Sequence, residues 1–163
     1  MSGIGMLGEI SAIEVFRREG YEVYIPFKDI GIDFLALKNN KVFRLQVKTS
    51  KFQKGKYFWF DLYKSKLVFQ ESVFYFFVFY HGERRTFLGS KKNFLCVPSM
   101  QIQDWISQNK LPSKKGNNDV INFFVYPDFK NKVLLFKNKS SILDLTSFHN
   151  QLLKINVRSR KIL

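Results

Sequence analysis

Asp33, Gln46, Lys48 and Glu9 are the side chains whose types and spacing suit work on a phosphate ester. If Asn39 and Asn40 form a two-residue turn, Lys38 pairs with Lys41, Leu35 with Arg44 and Asp33 with Gln46. Opposed residues share a face of a sheet, and Lys48 joins that face two residues on. The other face carries Ile32, Phe34, Ala36, Phe43, Leu45 and Val47, all apolar and expected to enter a core. Glu9 belongs to a preceding helix. At about 100° per residue, Ala12, Ile13 and Phe16 fall within about 60° of it, so the acid lies on the apolar stripe. Asp33 and Glu9 can offer hard oxygen ligands to Mg²⁺, with the Gln46 amide oxygen and the Val47 carbonyl as neutral additions. A metal so held polarises a phosphate and acidifies a bound water, and Lys48 can stabilise the developing charge or orient the nucleophile. The plain alternatives are a solvated face with an Asp–Lys ion pair, and a Glu9 that only favours the helix dipole.

The elements that must position these groups follow from the pattern. Gly8–Glu19 reads as a helix stopped by Gly20, and Tyr21–Phe27 as a strand. Ile32–Leu37 and Val42–Lys48 form the hairpin, and Tyr57–Tyr63 is a further strand. Lys64–Ser72 is a short helix or connection, and Val73–Tyr80 has the composition of a strand buried on both faces. Arg85–Leu88 and Phe94–Val97 are short strands, and Ser99 is placed to cap a helix over Met100–Gln108. Leu111–Asn118 is a loop, Val120–Tyr126 and Lys132–Lys137 a late strand pair, and Ser141–Ile155 a final helix. The sum is an α/β domain with a central mixed β-sheet flanked by helices. With 163 residues a single domain is expected, its core over 8–80 and an extension of uncertain role over 81–163.

Global composition narrows the partners. Lys plus Arg is 27 against 13 Asp plus Glu, a net charge of +14, which suits a polyanionic partner and above all nucleic acid. A solvated, Lys-rich surface reflecting genome composition is the competing account. One cysteine excludes a disulfide scaffold or a cysteine-rich zinc site, and two distant histidines argue against a histidine-rich one. The longest apolar run, Val73–Tyr80, is far short of the about 18 residues a spanning helix needs, so no membrane association and a cytoplasmic location are expected.

Gly31-Ile32-Asp33, followed by Gln46-Val47-Lys48, resembles the PD-(D/E)XK nuclease signature, with Gly8-Glu9 as the acid many members carry on the preceding helix. Within that superfamily the stretch over about residues 8–63 is most similar to intron-encoded homing endonucleases, which use a glutamine before X-Lys. Archaeal Holliday junction resolvases come next. The resemblance implies a restriction-endonuclease-like core and Mg²⁺-dependent cleavage of DNA, with Mn²⁺ as a substitute. Glu9, Asp33 and Gln46 would act with the Val47 carbonyl as ligands, and Lys48 as the catalytic lysine. Two departures stand out: Ile32 replaces the proline, and Gln46 replaces an acid and removes a negative charge. The second leaves open a catalytically inactive nucleic-acid-binding module on the same fold. Cutting two strands takes two sites, so a homodimer or homotetramer is expected. RNA remains an alternative substrate.

Lys51, Gln53, Lys54 and Lys56 follow the Lys48 strand and are expected to contact nucleic acid beside the site. Lys91, Lys92, Lys114, Lys115 and the tail bearing Arg158, Arg160 and Lys161 are further phosphate contacts. Gly3–Gly8 fits a dinucleotide fingerprint but no strand precedes it. Cys96 and His149 read as structural, His81 as a turn residue, and Asp61 as a weak accessory acid. Trp59, Trp105 and the tyrosines have base-stacking chemistry, with core or interface roles as the simpler account.

Overall fold

The computed structural model describes residues 3–28, 31–81, 93–139 and 141–152. The expected strand over 85–88, Lys91, Lys92 and the tail bearing Arg158, Arg160 and Lys161 lie outside them. The elements are α1 (Gly3–Arg18), β1 (Glu22–Tyr24), β2 (Phe34–Lys38), β3 (Lys41–Gln53), β4 (Tyr57–Tyr63), β5 (Val73–Tyr80), β6 (Phe94–Pro98), α2 (Ser99–Ser107), β7 (Val120–Asp128), β8 (Val133–Lys137) and β9 (Ile142–Asp144). Single 3-10 turns cover Lys64–Lys66 and Thr146–Phe148.

Three layers result. A first sheet has the order β1-β2-β3-β5-β6, antiparallel except for the parallel β3–β5 pair. A second, antiparallel sheet runs β4-β7-β8-β9 and joins the first through the far end of β3, where Phe52 faces Phe58 and Gln53 faces Tyr57. Helix α1 covers the outer face of the first sheet, and its Ala12, Val15 and Phe16 form a core with Phe34, Ala36, Phe43, Leu45, Phe74 and Phe76. Between the sheets lies a second core, from Phe58, Phe60, Tyr75, Phe77, Leu95, Phe123 and Phe136, closed by Ile102 and Trp105 of α2. Alternate residues of β5 enter the two cores, which accounts for its unbroken apolar sequence.

The hairpin forms in the expected register, Lys38 with Lys41 through Phe34 with Leu45. Asn39 and Asn40 have φ of 54° and 61°, the positive values a two-residue type I′ turn requires. Ile32 departs from expectation: it enters the core between the sheets rather than the one under α1. It precedes β2 and follows Gly31 at φ 75°, so strand alternation does not govern it. Ser99 is the first residue of α2 rather than its cap, and Pro98 takes the cap position. The buried Ser99 hydroxyl instead accepts a hydrogen bond from Gln70 N (3.0 Å) and donates one to Gln70 O (2.7 Å), pinning the segment after the first 3-10 turn. The final helix over Ser141–Ile155 does not form across the described residues. Leu143 and Leu145 alternate inward, β9 pairs with the edge of β8, and Leu145 N bonds Leu134 O at 2.8 Å. An available strand edge outweighed the helical spacing of the leucines.

Candidate active site

The site lies in a notch on the open edge of β3, beyond the point where β2 begins. Asp33 stands just before β2. Its N–H donates to Leu45 O at 2.9 Å, one residue off the register in which Leu45 pairs with Phe34, so the expected pairing of Asp33 with Gln46 does not form: the ladder ends at Phe34. Its carboxylate then takes the next ladder position, with Oδ2 accepting the Val47 N–H at 2.6 Å. Leu45 and Val47 therefore turn their backbone groups toward this edge, and the Val47 carbonyl faces the same notch.

Helix α1 supplies Glu9 from the other side. Its seat depends on Gly8, which is buried against β3: a Cβ there would lie 1.8 Å from Thr49 Oγ1. Only glycine permits so close an approach, and that approach brings the next residue, Glu9, to Asp33. Burial first, and the Asp33 carboxylate second, raise the Glu9 carboxyl above its ordinary range. Two carboxylates placed this close favour a cation between them.

Lys48 leaves β3 on the face toward the second sheet and is half-buried. Burial lowers its ammonium below the ordinary value; Asp33 opposes that shift and Lys66 adds to it. Gln46, also half-buried, leaves β3 on the Lys48 face. Asp33, bonded to the Val47 N–H, thus lies within electrostatic reach of Glu9 on one side and Lys48 on the other, with Gln46 on the same face of β3 as Lys48. Among the described residues no three His, Cys, Asp or Glu side chains gather at one point. An ion here would rest on two carboxylates plus the neutral oxygens of Gln46 and Val47. This all-oxygen set suits a hard divalent cation.

Lys66 was not foreseen. Its 3-10 turn is clamped from β7's side: Asp119 accepts from Ser65 N and Ser65 Oγ, both at 2.8 Å, and Asp119 O accepts from Lys64 N at 2.7 Å. Nothing in its spacing from Lys48 announced the approach, which exists only once the two sheets are stacked. Arg44, on the Gln46 face, is held by Ser72 and Gln70 rather than turned to the site.

Of the expected nucleic-acid contacts, Lys51, Lys54 and Lys56 are exposed and Gln53 is half-buried at the β3–β4 turn. Lys114 and Lys115 are exposed on a separate loop. Trp105 is a core residue packed on Phe148, Cys96 is buried, and Trp59 is exposed with its Nε1 bonded to Asp61 Oδ1 at 2.8 Å. His81 and His149 both bind the buried Asn93, and each contact is 3.2 Å. No helix among the described residues is long and apolar enough to cross a membrane.

No family model matches the chain, and no curated protein does. Among solved structures, the bacterial homing endonuclease I-Ssp6803I superposes with a TM-score of 0.57 at 15% identity, covering 98% of this chain and 96% of that one. The chain has a nuclease fold. D212, a nuclease from a fusselovirus, matches with a TM-score of 0.44 at 14% identity over 96% of this chain and 88% of its own. The α/β architecture expected from the sequence is therefore present, including the mixed sheet and the helix that carries Glu9.

Proposed function

We propose that this protein is a metal-dependent endonuclease that hydrolyses DNA phosphodiester bonds, of the homing or junction-resolving type, through a PD-(D/E)XK site. The observation that carries the reading is that Asp33, bonded to the Val47 N–H, lies within electrostatic reach of Glu9, which follows the Gly8 packed on β3, and of Lys48. Glu9, Asp33, Gln46 and the Val47 carbonyl would hold Mg²⁺ or Mn²⁺, which when bound supplies Lewis-acid activation of the phosphate and of water. Asp33 is fixed by the Val47 N–H, so its second oxygen keeps a defined direction. Lys48, its proton loosened by burial, orients a water or neutralises the phosphate while Lys66 adds positive charge nearby. Homodimer or homotetramer formation has support in Met6, Leu7, Ile10, Ile25 and Phe27, all more than half exposed.

Plasmid and branched DNA incubated with Mg²⁺ test the reading. Asp33→Asn and Lys48→Ala are expected to abolish cleavage while DNA binding and thermal stability survive. Wild-type activity in both variants would refute the assignment. Mg²⁺ should raise the melting temperature of the wild type and not of Asp33→Asn, and Gln46→Glu should keep or strengthen that rise. A second reading, a binding module without catalysis, is favoured by one observation: an amide stands where a third acid would. DNA bound but left intact by the wild type would select it.

A further inference from the structure

The face of the second sheet turned away from the core carries aromatic rings. On β4, Tyr57, Trp59, Asp61 and Tyr63 alternate outward from the buried Phe58, Phe60 and Leu62, and the Asp61 carboxylate accepts the Trp59 Nε1–H at 2.8 Å, which fixes the indole on this face. On β7, Phe124 lies opposite Trp59 in register, and Tyr126 occupies the outward position opposite Tyr57. Ring centroids are 5.3 Å apart for Trp59–Phe124, 5.1 Å for Tyr57–Phe124 and 5.5 Å for Tyr57–Tyr126. Trp59 and Tyr63 remain 38% and 42% exposed. Cations stand at both ends of this row: Lys137 lies 5.4 Å over the Tyr126 ring and Lys66 5.1 Å over the Tyr63 ring.

We propose that this face is a stacking platform for the unpaired bases of a single nucleic-acid strand, led along β4 toward the notch at β3. Every base has a π-face, so an aromatic row flanked by lysines binds a strand with little sequence preference. Charge complementarity favours a polyanion over a second copy of a chain carrying +14. Continuity gives direction. β4 runs from Tyr57 to Tyr63, about 20 Å at the rise of a strand, and passes directly into the turn bearing Lys66. Lys66 covers Tyr63 and also acts on Lys48. The path into the notch rests on the nuclease reading; the platform itself does not.

The test uses metal-free full-length protein and the emission of Trp59, since Trp105 is buried. Oligo-dT and oligo-U of about 12 nucleotides span one such site. Either should quench the emission, and comparison of the two distinguishes DNA from RNA. Trp59→Ala should remove the quenching and weaken binding about five- to a hundredfold. Lys137→Ala, which alters no buried group, should weaken it about tenfold. Tyr24→Ala, an exposed tyrosine on β1, should change nothing. Binding without quenching and unaltered by both variants overturns the proposal. So does equal quenching by a blunt duplex, or a fall in oligomeric mass as the sole effect of Trp59→Ala. Because no metal is present, quenching reports binding alone; DNA left intact when Mg²⁺ is then added, with quenching retained, would count against the nuclease reading and not against the platform.

Discussion

Gly8 decides whether the acid on α1 meets the acid on the hairpin. Its absent Cβ would sit 1.8 Å from Thr49 Oγ1 and 2.9 Å from Thr49 Cβ, distances no real packing tolerates. Gly8→Ala must therefore lift the start of α1 from β3. Overpacking of this kind costs about 1–3 kcal/mol, and the displacement carries Glu9 from Asp33. The expected result is a lower melting temperature together with loss of the Mg²⁺-induced stabilisation. Adding Thr49→Ala removes the nearer contact and leaves the 2.9 Å one, so the double variant should recover part of both. Strictly additive effects in that cycle would deny the contact. Helical phase and strand parity singled out Glu9, Asp33 and Lys48 as candidates. The sequence was silent on the packing reason for Gly8, because a glycine in a helix carries no sign of what lies across from it.

At the scale of elements, the hairpin was legible because Asn-Asn and a period-2 apolar face agree on one register. β3 was not legible in full. It was expected to stop at Lys48, yet it continues to Gln53 because a second sheet waits to pair with its end. At the seam Ser50, only 5% exposed, accepts the Trp59 N–H on its hydroxyl at 2.9 Å, where β3 offers no ladder carbonyl. Ser50→Ala leaves that N–H without a partner, a cost of about 1–3 kcal/mol. Amide exchange at Trp59 should quicken well beyond that at Phe123 in the middle of β7, and an equal quickening at both would contradict the seam. The misread C-terminal segment makes the same point. Ile142, Leu145, His149 and Leu152 have helical spacing, but inward Leu143 and Leu145 and the free edge of β8 satisfied the backbone another way.

At the scale of the whole molecule, two long-range electrostatic effects follow. Asn93 is buried between His81 and His149, joining the end of β5 to the last described segment. If Asn93 Oδ1 accepts from His149 Nε2, its amide donates to His81 Nε2. Burial lowers His149 below its ordinary 6.5. A histidine depressed in the folded state stabilises above the unfolded value and loses that contribution as pH falls. Unfolding free energy should thus decline as pH drops below 6.5, and His149→Gln should flatten that decline. Charge sets the second effect. Exposed Lys51, Lys54 and Lys56 stand at the β3–β4 turn, and a net +14 draws a phosphate backbone toward them. Each phosphate neutralised on duplex DNA contributes about 0.9 to the slope of log affinity against log salt. Replacing all three should lower that slope by about 2.7. Lys54 has φ 52°, so asparagine is its suitable replacement, with alanine at the other two. Their exposure means the melting temperature should hold, so weaker binding would report lost phosphate contacts rather than lost fold. Lys48→Ala should lower the slope by no more than about one, since it removes a single charge from a half-buried position. An unchanged slope in the triple variant would move the DNA path away from this turn while leaving the notch at β3 as the place where cleavage is sought.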